Sequence, residues 1–241
     1  MTEPVVKSHR TVSRVTAILE LAAGEPGIRL APLAAALDAP KSSVFGLVKG
    51  LVSTGYLIEE DGGYHLGPAL GNLLTADRPT LVDAARSTLE ELRDTFDETA
   101  MLGTAVGDSV VYVAAAESRQ PIRYSAPLRV RRPLFPPSAG KVLLASWPAR
   151  KRDSYLESVI DDPAALERAR QELDRVRTEG FAINRGETLP DVSATARPIV
   201  VHDRVLAAVA VAGPTTRIAD RLPDIAEALL GATRTVAARL S

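Results

Sequence analysis

The sequence predicts an α+β protein with two parts, an N-terminal winged helix-turn-helix and a C-terminal domain built on an antiparallel sheet. Two observations point to this fold class. Three short helical segments and a hairpin pattern follow one another within residues 11–66. Farther along, β-rich runs joined at Gly107-Asp108 and at residues 202–204 are interspersed with amphipathic helices, which is typical of an antiparallel α+β domain.

The N-terminal part shows the helix-turn-helix pattern in its spacing. The connection at residues 38–40 is short, and two helices joined by such a turn are typical of this motif. The loop at residues 59–63 is Gly-rich and lies between two alternating runs, which predicts a hairpin that serves as the wing. The predicted elements are helices over residues 11–23 and 29–37, a third helix from Pro40 to Gly55, and strands over 56–58 and 64–66.

The third helix has one apolar face and one polar, basic face. Val44, Leu47, Val48 and Leu51 recur at helical spacing and are predicted to face the core. The opposite face suits the major groove of DNA, because lysines reach phosphate or guanine and serines bond to base edges. That face consists of Lys41, Ser42, Ser43, Phe45, Gly46 and Lys49. The alternative interpretation is the solvated face of an ordinary helix.

Composition excludes several classes of function. The chain has 241 residues, 46% of them hydrophobic, and no cysteine, which excludes disulfides, thiolate metal sites and cysteine nucleophiles. No apolar run approaches the roughly 20 residues that a membrane helix needs. The first residues lack the apolar block of a secretory signal, so we expect a cytoplasmic protein without membrane contact.

Charge alone does not indicate nucleic-acid binding. The net charge is −1, and residues 1–75 carry six Lys and Arg against seven Asp and Glu, again −1. DNA binding would therefore depend on a local patch repeated in a dimer. Five of those seven acids are expected to lie in turns or termini away from the face between Lys41 and Lys49.

The predicted boundary between the two parts lies near residues 77–79. We expect a DNA-binding domain over 1–67, a connecting helix or linker over 68–79, with its helix at 68–74, and a second domain over 80–241. The second domain is predicted to contain helices at 81–96, 139–146, 150–159, 163–179 and 223–240. Its predicted strands are 99–106, 109–116, 180–183, 192–201 and 205–211, with a candidate third strand at 122–125 and a loop at 128–137.

Enzyme and metal motifs are incomplete. Ser138 and Lys141 have the Ser-x-x-Lys spacing of certain hydrolases, but the chain lacks the Ser-Asp-Asn and Lys-Thr-Gly partners. His9, His65 and His202 are dispersed, which argues against a catalytic triad and against a zinc site. No phosphate-binding glycine loop is present, so we expect no enzyme activity, cofactor or metal. The cluster at residues 129–132 could hold an anion, although an exposed basic loop is the preferred interpretation.

Several short motifs occur in one order along nearly the whole chain. They are Val-Ser-Arg-Val-Thr-Ala-Ile-Leu-Glu-Leu (12–21), Ala-Pro-Lys-Ser-Ser-Val (39–44), Gly-Tyr-Leu-Ile (55–58), Tyr-His-Leu-Gly (64–67), Pro-Leu (133–134), Gly-Lys-Val-Leu-Leu-Ala (140–145), Ala-Thr-Ala-Arg-Pro-Ile (194–199) and Ala-Ala-Val-Ala-Val-Ala-Gly-Pro-Thr-Thr-Arg (207–217). In this order the chain resembles the IclR family of bacterial transcriptional regulators. The resemblance implies a GAF-like C-terminal effector domain, DNA binding as a homodimer or homotetramer, and control of a catabolic operon by a small metabolite, for instance as a repressor.

The recognition helix departs from the family pattern. Relatives usually carry His or Tyr followed by Arg where this chain has Phe45 and Gly46. The chain therefore lacks an arginine that could bind guanine with two hydrogen bonds, and with it about 1–3 kcal/mol of discrimination between bases. Phe45 could contact a thymine methyl group instead. The residues expected to contact an operator are Arg10, Lys41, Ser42, Ser43, Phe45 and Lys49.

The effector pocket implied by the resemblance also departs from the family pattern, because most of its usual polar anchors are alanine or phenylalanine here. The expected pocket residues are Leu128, Phe135, Ser138, Ala139, Asn184, Val192, Ala194, Ala210 and Ala212. Such a pocket favours a flat, apolar, aromatic effector oriented by few polar groups such as Ser138 and Asn184. The alternatives are a filled pocket that binds nothing, or a small-molecule-binding or hydrolytic α+β protein whose winged helix serves protein contacts.

Overall fold

The computed structural model describes residues 9–70 and 80–241. The chain divides into two compact units, Met1–Asp77 and Arg78–Ser241. The sequence predicts a helix at residues 68–74, and residues 71–74 lie outside the described part of the chain. Within the described part of that segment, Ala69 and Leu70 are helical. No helix within the described residues is long and apolar enough to cross a membrane.

The N-terminal unit contains three helices followed by a hairpin. Asp38 adopts a positive φ of 44° in the turn between the second and third helices, a conformation that Asp tolerates better than most residues. The hairpin is antiparallel and pairs Leu57 with Leu66 and Glu60 with Gly63. The elements are α1 (Arg10–Gly24), α2 (Leu30–Ala36), α3 (Lys41–Ser53), β1 (Leu57–Glu60) and β2 (Gly63–Leu66).

One apolar ridge fixes α3 against this small core. Val44 and Val48 are fully buried and Leu51 nearly so, while Leu47 is half-buried, as the helical spacing predicts. Pro40 precedes the first turn, and Gly55 ends the helix with a φ of 76°, which glycine adopts without strain. The core also contains Ile18, Ala22, Leu33 and Leu57 from the other elements.

The C-terminal unit is a six-stranded antiparallel sheet with helices on both faces. The strands are β3 (Thr99–Val106), β4 (Ser109–Ala116), β5 (Arg131–Pro133), β6 (Ala182–Leu189), β7 (Val192–Val201) and β8 (Arg204–Pro214). They lie in the sheet in the order β5-β4-β3-β8-β7-β6. The helices are α4 (Leu81–Phe96), α5 (Ser138–Ala145), α6 (Ala149–Val159), α7 (Pro163–Glu179), α8 (Thr215–Ile218) and α9 (Leu222–Leu240), with a short 3₁₀ turn at Ala219–Arg221.

Strand β8 shows why the sheet carries two helical layers. Successive side chains of a strand point to opposite faces. Ala208, Ala210 and Ala212 pack into the cluster that contains α5, α6 and α7. Val209 and Val211 pack into the other cluster, with α4 and α9. The alternation of alanine and valine therefore places small side chains on one face and branched ones on the other.

The prediction of a strand at residues 122–125 is wrong. This segment forms no ladder because side chains bind its backbone instead: Thr99 Oγ1 donates to Tyr124 O at 2.5 Å. The neighbouring Ser118 hydroxyl donates to Asp97 O at 2.7 Å and accepts from Gln120 N. The additional strand is β5, inside the predicted loop 128–137, and it pairs Arg132 with Val110. The predicted strand at 180–183 begins at Ala182 and continues to Leu189.

Lys141 connects three elements from inside the core. Its side chain is fully buried, and its Nζ donates to Glu172 Oε1 and to Glu187 Oε2, each at 2.6 Å, and to Ile183 O at 3.1 Å. Glu172 belongs to α7, and Glu187 lies near the end of β6. The ammonium group therefore ties α5 to α7 and to the β6 segment with charge-assisted hydrogen bonds.

The first turn of α5 packs closely against the segment that precedes it. A Cβ atom at Gly140 would lie 2.0 Å from Leu134 O, so no other residue fits there without displacing the backbone. The Tyr155 hydroxyl accepts from Leu134 N at 2.8 Å. These two contacts fix the position at which α5 begins.

We expect Lys141→Met to lower the free energy of unfolding of the C-terminal unit by about 1–3 kcal/mol, because two carboxylates lose their shared cation. The cost stays below that of a fully buried pair, since Glu172 and Glu187 are 29% and 38% exposed and can regain water. Trp147, the single tryptophan, belongs to this unit and reports its urea unfolding by fluorescence. Lys49→Met, in the other unit, serves as the control, and a loss below about 0.5 kcal/mol for Lys141→Met would contradict the assignment.

Candidate functional site

The face of α3 opposite its buried ridge is exposed in the structure. Phe45 is 45% exposed although it is a large aromatic residue. Lys49 Nζ lies 5.5 Å from the centroid of the Phe45 ring. Lys41 forms no ion pair with any residue that the structure describes. The remaining predicted contact residues, Arg10, Ser42 and Ser43, are also exposed.

Glu59 of the wing, one of the seven acids of the N-terminal part, lies against this face. Its Oε2 accepts from Lys49 Nζ at 2.6 Å. This hydrogen bond raises the pKa of the Lys49 ammonium group above its ordinary value. The contact arises because β1 follows α3 directly and turns back beside it. One of the two ammonium groups on this face is thus paired with an acid.

A cavity that is partly open to solvent lies in the C-terminal unit, among α5 and the strands of the sheet. The empty space between its lining atoms, together with the solvent at its mouth, amounts to about 390 Å³. Both apolar and polar side chains contribute to its wall. The lining residues are Met101, Tyr112, Tyr124, Arg132, Pro137, Ser138, Asn184, Thr188, Leu189, Val192, Ala194 and Ala212.

The structure brings together five of the nine predicted pocket residues. Ser138, Asn184, Val192, Ala194 and Ala212 line the cavity. Sequence reasoning missed Met101, Tyr112, Tyr124, Arg132, Pro137, Thr188 and Leu189. The pattern of alternation in β3 and β4 could have found Met101 and Tyr112, since both belong to the same inward-facing cluster as Ala212.

The other four predicted pocket residues do not line this cavity. Leu128 is 44% exposed at the surface, and Ala139 and Ala210 are fully buried in the core. The Phe135 ring centroid lies 5.4 Å from Lys141 Nζ, and the residue borders a separate surface groove along α7. The Ala139 and Ala210 side chains are covered by the packing of the cluster that also contains α6 and α7.

Asn184 shapes the wall of the cavity through hydrogen bonds to the protein itself. Its Nδ2 donates to Pro136 O at 2.9 Å and to Thr188 Oγ1 at 3.0 Å, and its Oδ1 accepts from Glu187 N at 3.2 Å. Both amide protons are therefore in use. Asn184 holds the end of β6 over the cavity, and the expectation that it is a free polar anchor needs correction.

Arg132 lines the cavity, so the interpretation of residues 129–132 as an exposed basic loop is wrong for this residue, whereas Arg129 and Arg131 are exposed. The residue is half-buried, and its Nε is shielded from solvent and has no hydrogen-bond partner. The difference arises because β5 pairs with β4, which directs alternate side chains of the segment to opposite faces. Arg131, the preceding residue, is exposed, and its Nη1 donates to Val106 O at 2.9 Å.

The described part of the chain contains no group of three or more His, Asp or Glu residues that could hold a metal ion. The cavity wall holds hydroxyls and one guanidinium group among apolar side chains. Such a wall suits reversible binding of an organic molecule.

Comparison with known proteins covers almost the whole chain. Residues 11–61 match the model of the IclR helix-turn-helix domain, and residues 74–239 match the model described as bacterial transcriptional regulator IclR C-terminal. The chain is 32% identical to the HTH-type transcriptional regulator BhcR of Paracoccus denitrificans, over 93% of this chain and 85% of that protein.

Two solved structures share the fold. An IclR transcriptional regulator from Alicyclobacillus acidocaldarius has a TM-score of 0.77 at 20% identity, over 98% of this chain and 100% of that one. An IclR homolog from Microbacterium hydrocarbonoxydans, complexed with 4-hydroxybenzoate, has a TM-score of 0.75 at 21% identity, over 95% of this chain and 98% of that one. With both domain models matched in order, this chain belongs to the IclR family of transcriptional regulators.

Proposed function

We propose that this chain is a sequence-specific DNA-binding regulator that responds to a small, aromatic or weakly polar metabolite and acts as a homo-oligomer on an operator of a catabolic operon. The observation that carries the proposal is the exposed polar and basic face of α3, held outward by its buried ridge. A helix presented in this way fits the major groove, and two copies would read half-sites about one or more helical turns apart.

The cavity supports the ligand-responsive part of the proposal. Met101, Val192, Ala194 and Ala212 give it an apolar wall, and Tyr112 adds an aromatic face. A planar ring fits such a wall better than a small hydrophilic acid does. The structural relative from Microbacterium hydrocarbonoxydans is complexed with 4-hydroxybenzoate, which agrees with this class of effector. Effector and operator binding would then be linked thermodynamically.

We expect Lys41→Ala to weaken operator binding about 3–10-fold and to reduce the slope of log K against log salt by about 0.9, because one phosphate contact is lost. Glu59→Gln should have the opposite effect, since it frees the Lys49 ammonium group from its carboxylate. Fluorescence anisotropy with the gene's own upstream DNA between 50 and 200 mM salt measures both.

Lys151→Ala is the matched control for this measurement, because Lys151 is an exposed lysine of the C-terminal unit. It should leave the affinity and the salt slope unchanged. If Lys41→Ala and Glu59→Gln are both indistinguishable from this control, α3 is not the reading helix.

We expect the protein to bind benzoate or benzamide more tightly than glyoxylate or pyruvate in isothermal calorimetry, because only the ring covers the apolar wall. Ala194→Leu should weaken the aromatic compounds about tenfold or more by filling the cavity from β7, without altering operator binding in the absence of ligand. Val200→Leu is the control, since Val200 lies on the same strand and is 44% exposed. A clear preference for glyoxylate or pyruvate would refute the aromatic effector.

A further inference from the structure

Arg132 is a half-buried cation without a partner. Its guanidinium group offers five donors, yet it forms no hydrogen bond or ion pair with any described residue, and Nε is closed off from solvent. Burying a charge is costly unless an opposite charge or hydrogen bonds compensate it. Arg132 therefore lacks an acceptor or an opposite charge within the described protein, and a bound molecule could supply one.

Three other arginines of this unit are paired with acids. Arg152 Nη1 donates to Asp174 Oδ1 at 2.6 Å. Arg217 forms two parallel bonds to Glu98, at 2.7 and 2.8 Å. Arg170 leaves its Nε unpaired but donates from Nη2 to Glu157 Oε1 at 2.6 Å. Arg132 differs from these three arginines because no described acid pairs with it, so its guanidinium group is available to a molecule that enters the cavity.

Two further donors without partners line the same cavity. The Ser138 side chain is only 2% exposed, and its hydroxyl bonds to no described residue. The Tyr112 hydroxyl is likewise unpartnered, and burial raises the pKa of Tyr112, which keeps the group protonated and able to donate. The cavity wall contains no Asp or Glu to compete for these donors.

Ser138 is also the first residue of α5. The amides of the first turn precede the first helical hydrogen bond, from Lys141 N to Pro137 O at 2.8 Å. The partial positive charge of a helix N-terminus favours an anion nearby. The close packing at Gly140 fixes this end of the helix, so the site is formed before ligand binds.

We propose that Arg132, Ser138 and Tyr112 bind the carboxylate of the effector, whose ring lies against the apolar wall of Met101 and Ala212. This inference rests on the proposed function and narrows its effector from aromatic compounds in general to aromatic acids. The planar guanidinium fork matches a carboxylate with two parallel bonds, which an amide cannot reproduce.

Calorimetry on the full chain with benzoate and benzamide, which have nearly the same shape but differ in charge, tests the inference. We expect benzoate to bind at least about tenfold more tightly to the unaltered protein. Arg132→Met should remove that preference by weakening benzoate about tenfold or more, while benzamide changes less than about twofold. Arg132→Lys keeps the charge without the fork and should give an intermediate affinity.

Arg131→Met is the control, because Arg131 is the exposed neighbour on the opposite face of β5, and it should leave both affinities unchanged. Urea unfolding followed at Trp147 verifies that each variant is folded. If Arg132→Met fails to fold, Ser138→Ala and Tyr112→Phe take its place, each with an expected loss of about threefold or more for benzoate alone.

Three results would overturn the inference. The first is equal or tighter binding of benzamide, which would indicate an uncharged aromatic effector. The second is the absence of benzoate binding at about tenfold molar excess over millimolar protein, and the third is a preference for benzoate that survives the loss of Arg132. None of these results affects operator binding by the ligand-free protein, which the anisotropy measurement tests separately, so failure of the inference and failure of the proposed function remain distinguishable.

Discussion

The ion-pair cluster around Lys141 holds α5, α7 and β6 of the C-terminal unit together. A fully buried ammonium group is tolerated only because two carboxylates and a backbone carbonyl surround it. Those partners lie on α7 and β6, so the cluster requires both to stay close to α5. The same β6 segment continues into Thr188 and Leu189, which form part of the cavity wall. The ion pairs of Lys141 therefore also help to position the part of the cavity wall that β6 contributes.

The two candidate sites follow the same structural rule. In α3, the ridge of Val44, Val48 and Leu51 takes up the packing, and the opposite face is left for an external partner. In the cavity, the sheet and α5 take up the packing, and the groups that remain unpartnered face inward. In each case the groups available for recognition are those that the core does not use. Asn184 shows the converse, because its polar atoms are consumed by the fold.

Periodicity in the sequence predicts the helices and long hairpins of this protein well, because amphipathic spacing and turn residues act locally. The buried positions of α3 and the turns at residues 107–108 and 202–203 agree with that reasoning. The resemblance to the family correctly indicates the order of the two domains. It also places the cavity near Ser138, Ala194 and Ala212.

The features that sequence reasoning missed depend on contacts between distant segments. Strand β5 has only three residues and exists because β4 offers it an edge, so neither its formation nor the direction of Arg132 can be read locally. The pairing of Lys49 with Glu59 depends on how the wing turns back beside α3. Residue type alone does not show whether a polar side chain in the cavity wall is free to bind a ligand, because that depends on the hydrogen bonds it makes after folding.

The alternation of alanine and valine in β8 has a consequence for how the cavity could diversify among related chains. Positions 208, 210 and 212 face one helical layer, and positions 209 and 211 face the other. Enlarging Ala212, which lines the cavity, would change the shape of the cavity while leaving the packing of α4 and α9 untouched. The sheet therefore separates two sets of side chains, so that selectivity can change on one face without disturbing the core on the other.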